Sequence, residues 1–205
     1  MSATTPTRPG GGTDDAAYTH RLDRLAGARW KRLINAQAPY RYNVRRLRLG
    51  RTLDLGCGLG RNLAHLDGAG VGVDHNADSV AYARARGLEA YTVEEFLATP
   101  HATPAAFDSL LAAHLVEHLE PAQAREVVGG YLEFVRPGGK VVFITPQERG
   151  HASDETHVWF VDFAAAAQLC ADLGLVVERQ YSFPFPRPVG KVFTYNEFVT
   201  VARRA

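Results

Sequence analysis

The sequence is poor in cysteine and lysine and contains no long apolar run. Cys57 and Cys170 are its only cysteines, far apart and outside any CxxC pattern. A disulfide framework or a cysteine-ligated zinc module is therefore not expected, and two reduced thiols are. No stretch approaches the roughly 18 consecutive apolar residues that a membrane-spanning helix needs, so no membrane partner is expected. The opening "MSATTPTRPGGGTDD" has no apolar segment of the kind a secretory signal carries, which predicts a cytoplasmic chain. A net charge of +1 leaves little electrostatic basis for a broad nucleic-acid surface. Three lysines stand against twenty arginines; with the abundant alanine, that skew suggests a GC-rich bacterial genome.

What is present is a 205-residue chain, 46% hydrophobic and 22% charged, enough for one domain with a sizeable core. Residues 1–16 are rich in Pro, Gly and Thr and read as a flexible tail. Residues 17–50 carry a helical pattern, with Leu22, Leu25, Trp30, Leu33 and Ile34 at three- and four-residue steps and an interruption at Pro39. From residue 51 to 205, short apolar runs alternate with helical segments. "RTLDLGCG", "GVGVDH", "LEAYTV", "FDSLLAAH" and "GGKVVFITP" read as strands. "RNLAHLDG", "NADSVAYARARG", "PAQAREVVGGYLEFV" and "VDFAAAAQLCADLG" read as helices. "LVVERQYSF" and "KVFTYNEFVTVARR" close the chain as a hairpin. This alternation predicts an α/β fold: a Rossmann-like, doubly wound sheet of seven strands, mostly parallel with an antiparallel last strand, and helices on both faces.

Two stretches carry chemistry. In "LDLGCGLGRN", Gly56, Gly58 and Gly60 alternate between a strand and a helix, where glycine permits positive φ and close approach of a ligand to the backbone. The spacing is neither the G-x-G-x-x-G of dinucleotide folds nor a Walker loop. Asp54 precedes the loop and Asp74 ends the next strand, where an acid can accept both hydroxyls of a ribose. Acids on both sides favour a neutral or cationic nucleoside over a phosphate. The second stretch is "HLVEHL", with His114 at a strand end and Glu117 and His118 expected in the first turn of the next helix. "RGHASDETHVWF" follows downstream, with His151 and His157. Three readings stay open: helix surface stabilised by the helix dipole, a general base at His114 oriented by Glu117, and a divalent cation held by His114, Glu117 and His118 with His157 or His151.

The motifs "LDLGCGLGRN", "VGVDHN", "FDSLLAAHLVEHL" and "RPGGKVVFITP", with the terminal hairpin, resemble the class I S-adenosylmethionine-dependent methyltransferases over residues 40–205. The resemblance implies that Gly56 and Gly58 face the methionine part of the donor, with Asn62 also in contact. It implies Asp54 on the amino group, Asp74 on the ribose, His75 beside the adenine, and Glu94 or Glu95 at the adenine amine. "HLVEHL" with a distant histidine is similar to the E-x-x-E-H pattern of RNA 3′-end methyltransferases whose magnesium holds a ribose diol, with His114 in place of the first glutamate. "TPQERGHASDETHV" and "FPFPRPVGKVFTYNEF" resemble small actinobacterial sugar O-methyltransferases, those of methylmannose polysaccharide biosynthesis in particular. What these likenesses imply is methyl transfer from S-adenosylmethionine to a hydroxyl of a sugar or oligosaccharide, aided by magnesium. The alternative is a metal-free methyltransferase of a small natural product using His114 as base. Tyr181, Phe183, Phe185 and Phe193, in a proline-stiffened link, read either as a packed surface loop or as a rigid lip whose rings stack on a sugar or other flat ligand. A homodimer is left open.

Overall fold

Period-two apolar patterning gives the sheet two buried faces. The computed structural model describes residues 37–205; the expected tail and the helical pattern before residue 37 lie outside the described residues. On β4 (Phe107–Ala113), Leu110 and Ala112 face one core with Leu53, Val141, Phe143 and Leu169. Leu111 and Ala113 face the other, with Leu47, Val142, Ile144 and Val199. The first core is the larger and includes Phe96, Phe107, Tyr131 and Phe134, whose rings meet at 5.3–6.5 Å. Burying each such side chain contributes roughly 1.5–3 kcal/mol.

The remaining strands are β1 (Thr52–Leu55), β2 (Gly70–Val73), β3 (Ala90–Tyr91), β5 (Val135–Pro146), β6 (Leu175–Phe183) and β7 (Glu197–Arg204). Their order is β3-β2-β1-β4-β5-β7-β6. β1 to β5 pair in parallel, while β7 runs antiparallel to both β5 and β6. The expected seven-stranded, mostly parallel sheet with an antiparallel last strand is the fold. Chain order reverses between β1 and β4, which opens a crevice beyond the carboxyl ends of those strands. Because β7 is reversed, its first residue, Glu197, pairs with Pro146 at the end of β5. The start of β7 therefore joins that same edge.

Helices α1 (Ala38–Arg46), α2 (Ala77–Ala85), α3 (Val93–Leu97), α4 (Pro121–Tyr131), α5 (Glu148–His151) and α6 (Phe163–Asp172) connect the strands. Their starts follow local chemistry. The Asn76 side chain accepts from the Ser79 amide at the start of α2, Asp162 does the same for Ala165 at α6, and Thr92 and Glu95 form a reciprocal capping box on α3. Pro39 lies in the first turn of α1, where its missing N–H costs nothing; the segment before it lies outside the described residues. "RNLAHLDG" makes only a 3₁₀ turn at Leu63–His65, since left-handed residues at Gly60 and Asp67 bound it closely. Thr92 leaves the third strand to cap α3, which shortens that strand to two residues. β7 starts at Glu197, not near Lys191, because Arg187–Lys191 forms another 3₁₀ turn. No helix among the described residues is long and apolar enough to cross a membrane.

Candidate active site

At the carboxyl end of β1 the chain turns through Gly56, Gly58 and Gly60 with φ of +71°, +51° and +77°. A Cβ on Gly56 would lie 2.8 Å from Leu115, so there glycine serves packing. At Gly58 a Cβ would meet nothing within 4 Å: the loop presents bare backbone to open space. Asp74, at the end of β2, braces this loop. One carboxylate oxygen accepts from the Gly58 amide at 2.8 Å and the other from the Asn76 amide at 2.9 Å. His75 stands beside it, half-exposed, with Nδ1 3.5 Å away.

Asp54 differs. It is fully buried, neither carboxylate oxygen has a hydrogen-bond partner, and burial pushes its carboxyl up to about 8, against the pull of Arg61. A buried, orphaned acid beside a bare glycine loop is what a ligand ammonium group would satisfy. Asn62 lines the neighbouring pocket with Tyr40, Asn43, Arg61, His114 and Glu197. Of the two acids in α3, Glu95 is spent on its capping box and on Arg84 at 2.6 Å, which leaves Glu94 the freer for a ligand.

"HLVEHL" does not continue into a helix. His114 has φ +57°, Val116–His118 forms one 3₁₀ turn, and α4 begins only at Pro121. The left-handed residue turns the chain at the strand end, so the three side chains do not share one helical face. His114 Nδ1 lies 3.1 Å from Glu117 Oε1, and its Nε2 lies 2.9 Å from Glu197 Oε1. Burial opposes the charge on this imidazole, but the hydrogen bonds and charges of the two carboxylates outweigh it and raise its pKa to about 9. Glu117 is itself fully buried; burial would raise its carboxyl, yet His114 and then His118 hold it low. Its Oε2 has no partner.

On the other side of Glu117, the ligand atoms of Glu117, His118 and His157 all lie within 4.8 Å of one another. His114 is not the fourth member of that cluster, because both of its ring nitrogens are taken by carboxylates. His118 Nδ1 sits 3.2 Å from the Thr156 carbonyl and His157 Nδ1 sits 2.9 Å from the His151 carbonyl. If each Nδ1–H donates there, each Nε2 keeps its lone pair, the arrangement in which outer hydrogen bonds fix metal-binding imidazoles. Burial lowers the pKa of both His118 and His151, for His118 against the pull of the Glu117 carboxylate. His151 Nε2 is buried without a partner, and its ring lies 5.2 Å from that of His157. Two imidazoles and one carboxylate make a donor set that fits a divalent cation.

Glu197, Tyr40 and Arg61 are the residues that sequence reading missed. Tyr40 donates to the Tyr195 carbonyl at 2.6 Å, which ties α1 to the segment before β7. There Phe185, Phe193 and Tyr195 form a ladder of edge-on rings at 5.5 and 5.7 Å, with Phe185 and Tyr195 about half exposed. Tyr181 and Phe183 pack inward instead, against the second core.

Residues 52–139 match the family model described as a methyltransferase domain. A search of curated proteins finds no match. Similar solved structures include an S-adenosylmethionine-dependent methyltransferase from Archaeoglobus fulgidus, 18% identical over 91% of this chain and 99% of that one, with a TM-score of 0.62. The magnesium protoporphyrin IX methyltransferase of Synechocystis with bound S-adenosylhomocysteine is 12% identical over 94% and 96%, with a TM-score of 0.65. A chain from the complex of the Haloferax volcanii Trm112 methyltransferase activator with a methyltransferase is 19% identical over 91% and 94%, with a TM-score of 0.66. At these identities the likeness is one of fold.

Proposed function

We propose that this enzyme, a methyltransferase by its domain match and sheet order, transfers a methyl group from S-adenosylmethionine to a hydroxyl of a sugar or oligosaccharide, with a divalent cation, magnesium, at Glu117, His118 and His157. The observation that carries the reading is the pair of sites at one sheet edge. An orphaned acid beside the glycine loop suits the donor, and a carboxylate–imidazole cluster one turn beyond β4 suits a hydroxyl-bearing acceptor. Bound S-adenosylmethionine supplies an electrophilic methyl group that needs chiefly alignment with the acceptor, and a bound cation lowers the pKa of a hydroxyl it touches.

The chain's own residues supply the rest. Asp54 meets the donor's ammonium, Asp74 the ribose, and His75 and Glu94 the adenine. The charged His114 ring, held between Glu117 and Glu197, fixes the Glu117 carboxylate by one oxygen and leaves the other toward the cluster. His151 packs its ring against His157 at the edge of the cluster, and the acceptor's proton passes to water. The exposed rings of Phe185 and Tyr195 offer a flat apolar face to a sugar, and a methylmannoside is the acceptor that the sequence resemblance suggests.

The competing reading, a metal-free reaction with His114 as base, is disfavoured because both nitrogens of that ring are occupied and the ring is protonated at neutral pH. Calorimetric titration of manganese and magnesium separates the two. A single site is expected in the wild type and none in His118→Ala, while S-adenosylmethionine binds both proteins equally. Absence of any metal binding to the wild type would remove the cation from the proposal and leave the donor site standing.

A further inference from the structure

At the opposite edge of the sheet, where the parallel strands begin, lies a cavity of about 410 Å³ whose charged lining is Arg48, Asp108, Arg136, Lys140 and Arg203. Arg136 and Lys140 belong to the first half of β5, Asp108 to the start of β4, and Arg203 to the end of β7, where it pairs with Lys140. Four cations thus face one acid, and that acid is already occupied: its oxygens accept from the Arg51 amide at 2.9 Å and from Arg136 Nε at 2.8 Å. Arg203 is partly spent on Glu178 and on the Gly138 carbonyl. Lys140 Nζ donates to the Leu47 carbonyl at 2.5 Å and the Arg48 carbonyl at 3.1 Å, which leaves one of its three N–H bonds. Arg48 holds φ +50° in the turn that brings both carbonyls to Lys140, an uncommon conformation for a side-chain-bearing residue. Burial, and then the charge of Arg203, lower the pKa of Lys140 against the pull of Glu178.

We infer that this cavity binds a phosphate-bearing small molecule, held by the Arg48, Arg136 and Arg203 guanidinium groups and the remaining Lys140 N–H. Guanidinium forks match oxyanions in bidentate geometry, and the volume falls within the roughly 300–1,000 Å³ of small-ligand pockets. The site lies at the other end of the strands from the glycine loop, so it does not depend on the proposed methyl acceptor. A nucleic-acid strand is less suited, because the cations converge on one cavity instead of extending along a face.

The test is calorimetry of the full chain at low salt with two probes, inorganic pyrophosphate and glucose 1-phosphate, in the wild type, Arg48→Glu and Arg136→Ala. Binding of pyrophosphate alone identifies a free-phosphate site; tighter binding of glucose 1-phosphate identifies a sugar phosphate. Either is expected to weaken about tenfold or more in Arg48→Glu, as for loss of a charge-assisted contact, with S-adenosylmethionine affinity unchanged. Arg136→Ala breaks only an exposed ion pair, so it gives the same readout should Arg48→Glu unfold. The inference is overturned if neither probe binds the wild type, if both variants bind as the wild type does, if S-adenosylmethionine displaces the probe, or if only an RNA or DNA strand binds.

Discussion

Two buried carboxylates at the same sheet edge behave in opposite ways. Asp54 has no partner for either oxygen and its pKa is driven up to about 8. Glu117 is as deeply buried, yet its carboxyl is held low by His114 and His118. An acid that the fold leaves unpaired awaits a charge from outside, whereas an acid that the fold pairs is part of a prebuilt device. Under the proposed function, the donor half of the crevice is therefore incomplete without its ligand. In the proposed acceptor half, a protonated histidine already bridges two carboxylates, and Glu117 Oε2 has no partner.

The contrast can be broken most severely at the loop itself. Gly58→Val places a β-branched side chain at φ +51°, in the space that the donor's methionine part would fill. Donor binding is expected to vanish from calorimetry while circular dichroism keeps the α/β signature. Normal donor affinity would mean that the loop cradles nothing.

Glu117→Ala attacks the prebuilt half. It strips one of two carboxylate partners from the part-buried His114 imidazolium and should cost about 1–3 kcal/mol of unfolding free energy, as for a lost charge-assisted hydrogen bond, read by urea denaturation. A loss below about 1 kcal/mol, the range of exposed pairs, would show that the His114 bridge is ornamental. The pH profile adds a check. His114 titrates near 6.5 unfolded and about 9 folded, so its contribution is full below pH 6.5 and drains as pH rises through 9.

Asp54→Asn should do the reverse. Between pH 3.8 and about 8 the folded state keeps a proton that the unfolded state has released, so wild-type stability falls as pH rises through that window. The ligand-free variant is expected to be the more stable protein, by a margin that widens from pH 5 to pH 8. Its donor affinity should drop about tenfold, as for a lost charge-assisted hydrogen bond. Thermal scans that find the variant less stable than the wild type at pH 8 would contradict an unpaired Asp54.

The same two halves differ in how much of them was legible in the sequence. The proposed donor half is nearly contiguous: Asp54, Gly56 and Gly58 fall in one strand–turn segment, and Asp74 follows at the end of the next strand, so the pattern places these residues together, while their roles toward a donor come from the resemblance. The acceptor half is assembled across the sheet. Glu197 reaches His114 from 83 residues away because an antiparallel β7 begins where β5 ends, and nothing in "YNEFVT" announces that meeting. A helix was expected after His114 because Glu117 and His118 have helical spacing. The left-handed conformation of His114 replaces it with a 3₁₀ turn and separates His114 from the Glu117–His118–His157 cluster. His157, by contrast, joined the cluster as its place after the neighbouring strand suggested. Glu94 and Glu95 became distinguishable only once Thr92 and Arg84 were seen to occupy the second.

The most direct test of a cation-aided sugar O-methyltransferase is transfer of labelled methyl from S-adenosylmethionine to a panel of sugars and methylmannosides, on enzyme treated with EDTA and then resupplied with magnesium. The proposed site requires product from a hydroxyl-bearing sugar, loss of turnover on chelation, recovery with magnesium, and no recovery in His118→Ala. Full turnover on the chelated enzyme, or methylation confined to amines or carboxylates, would contradict it.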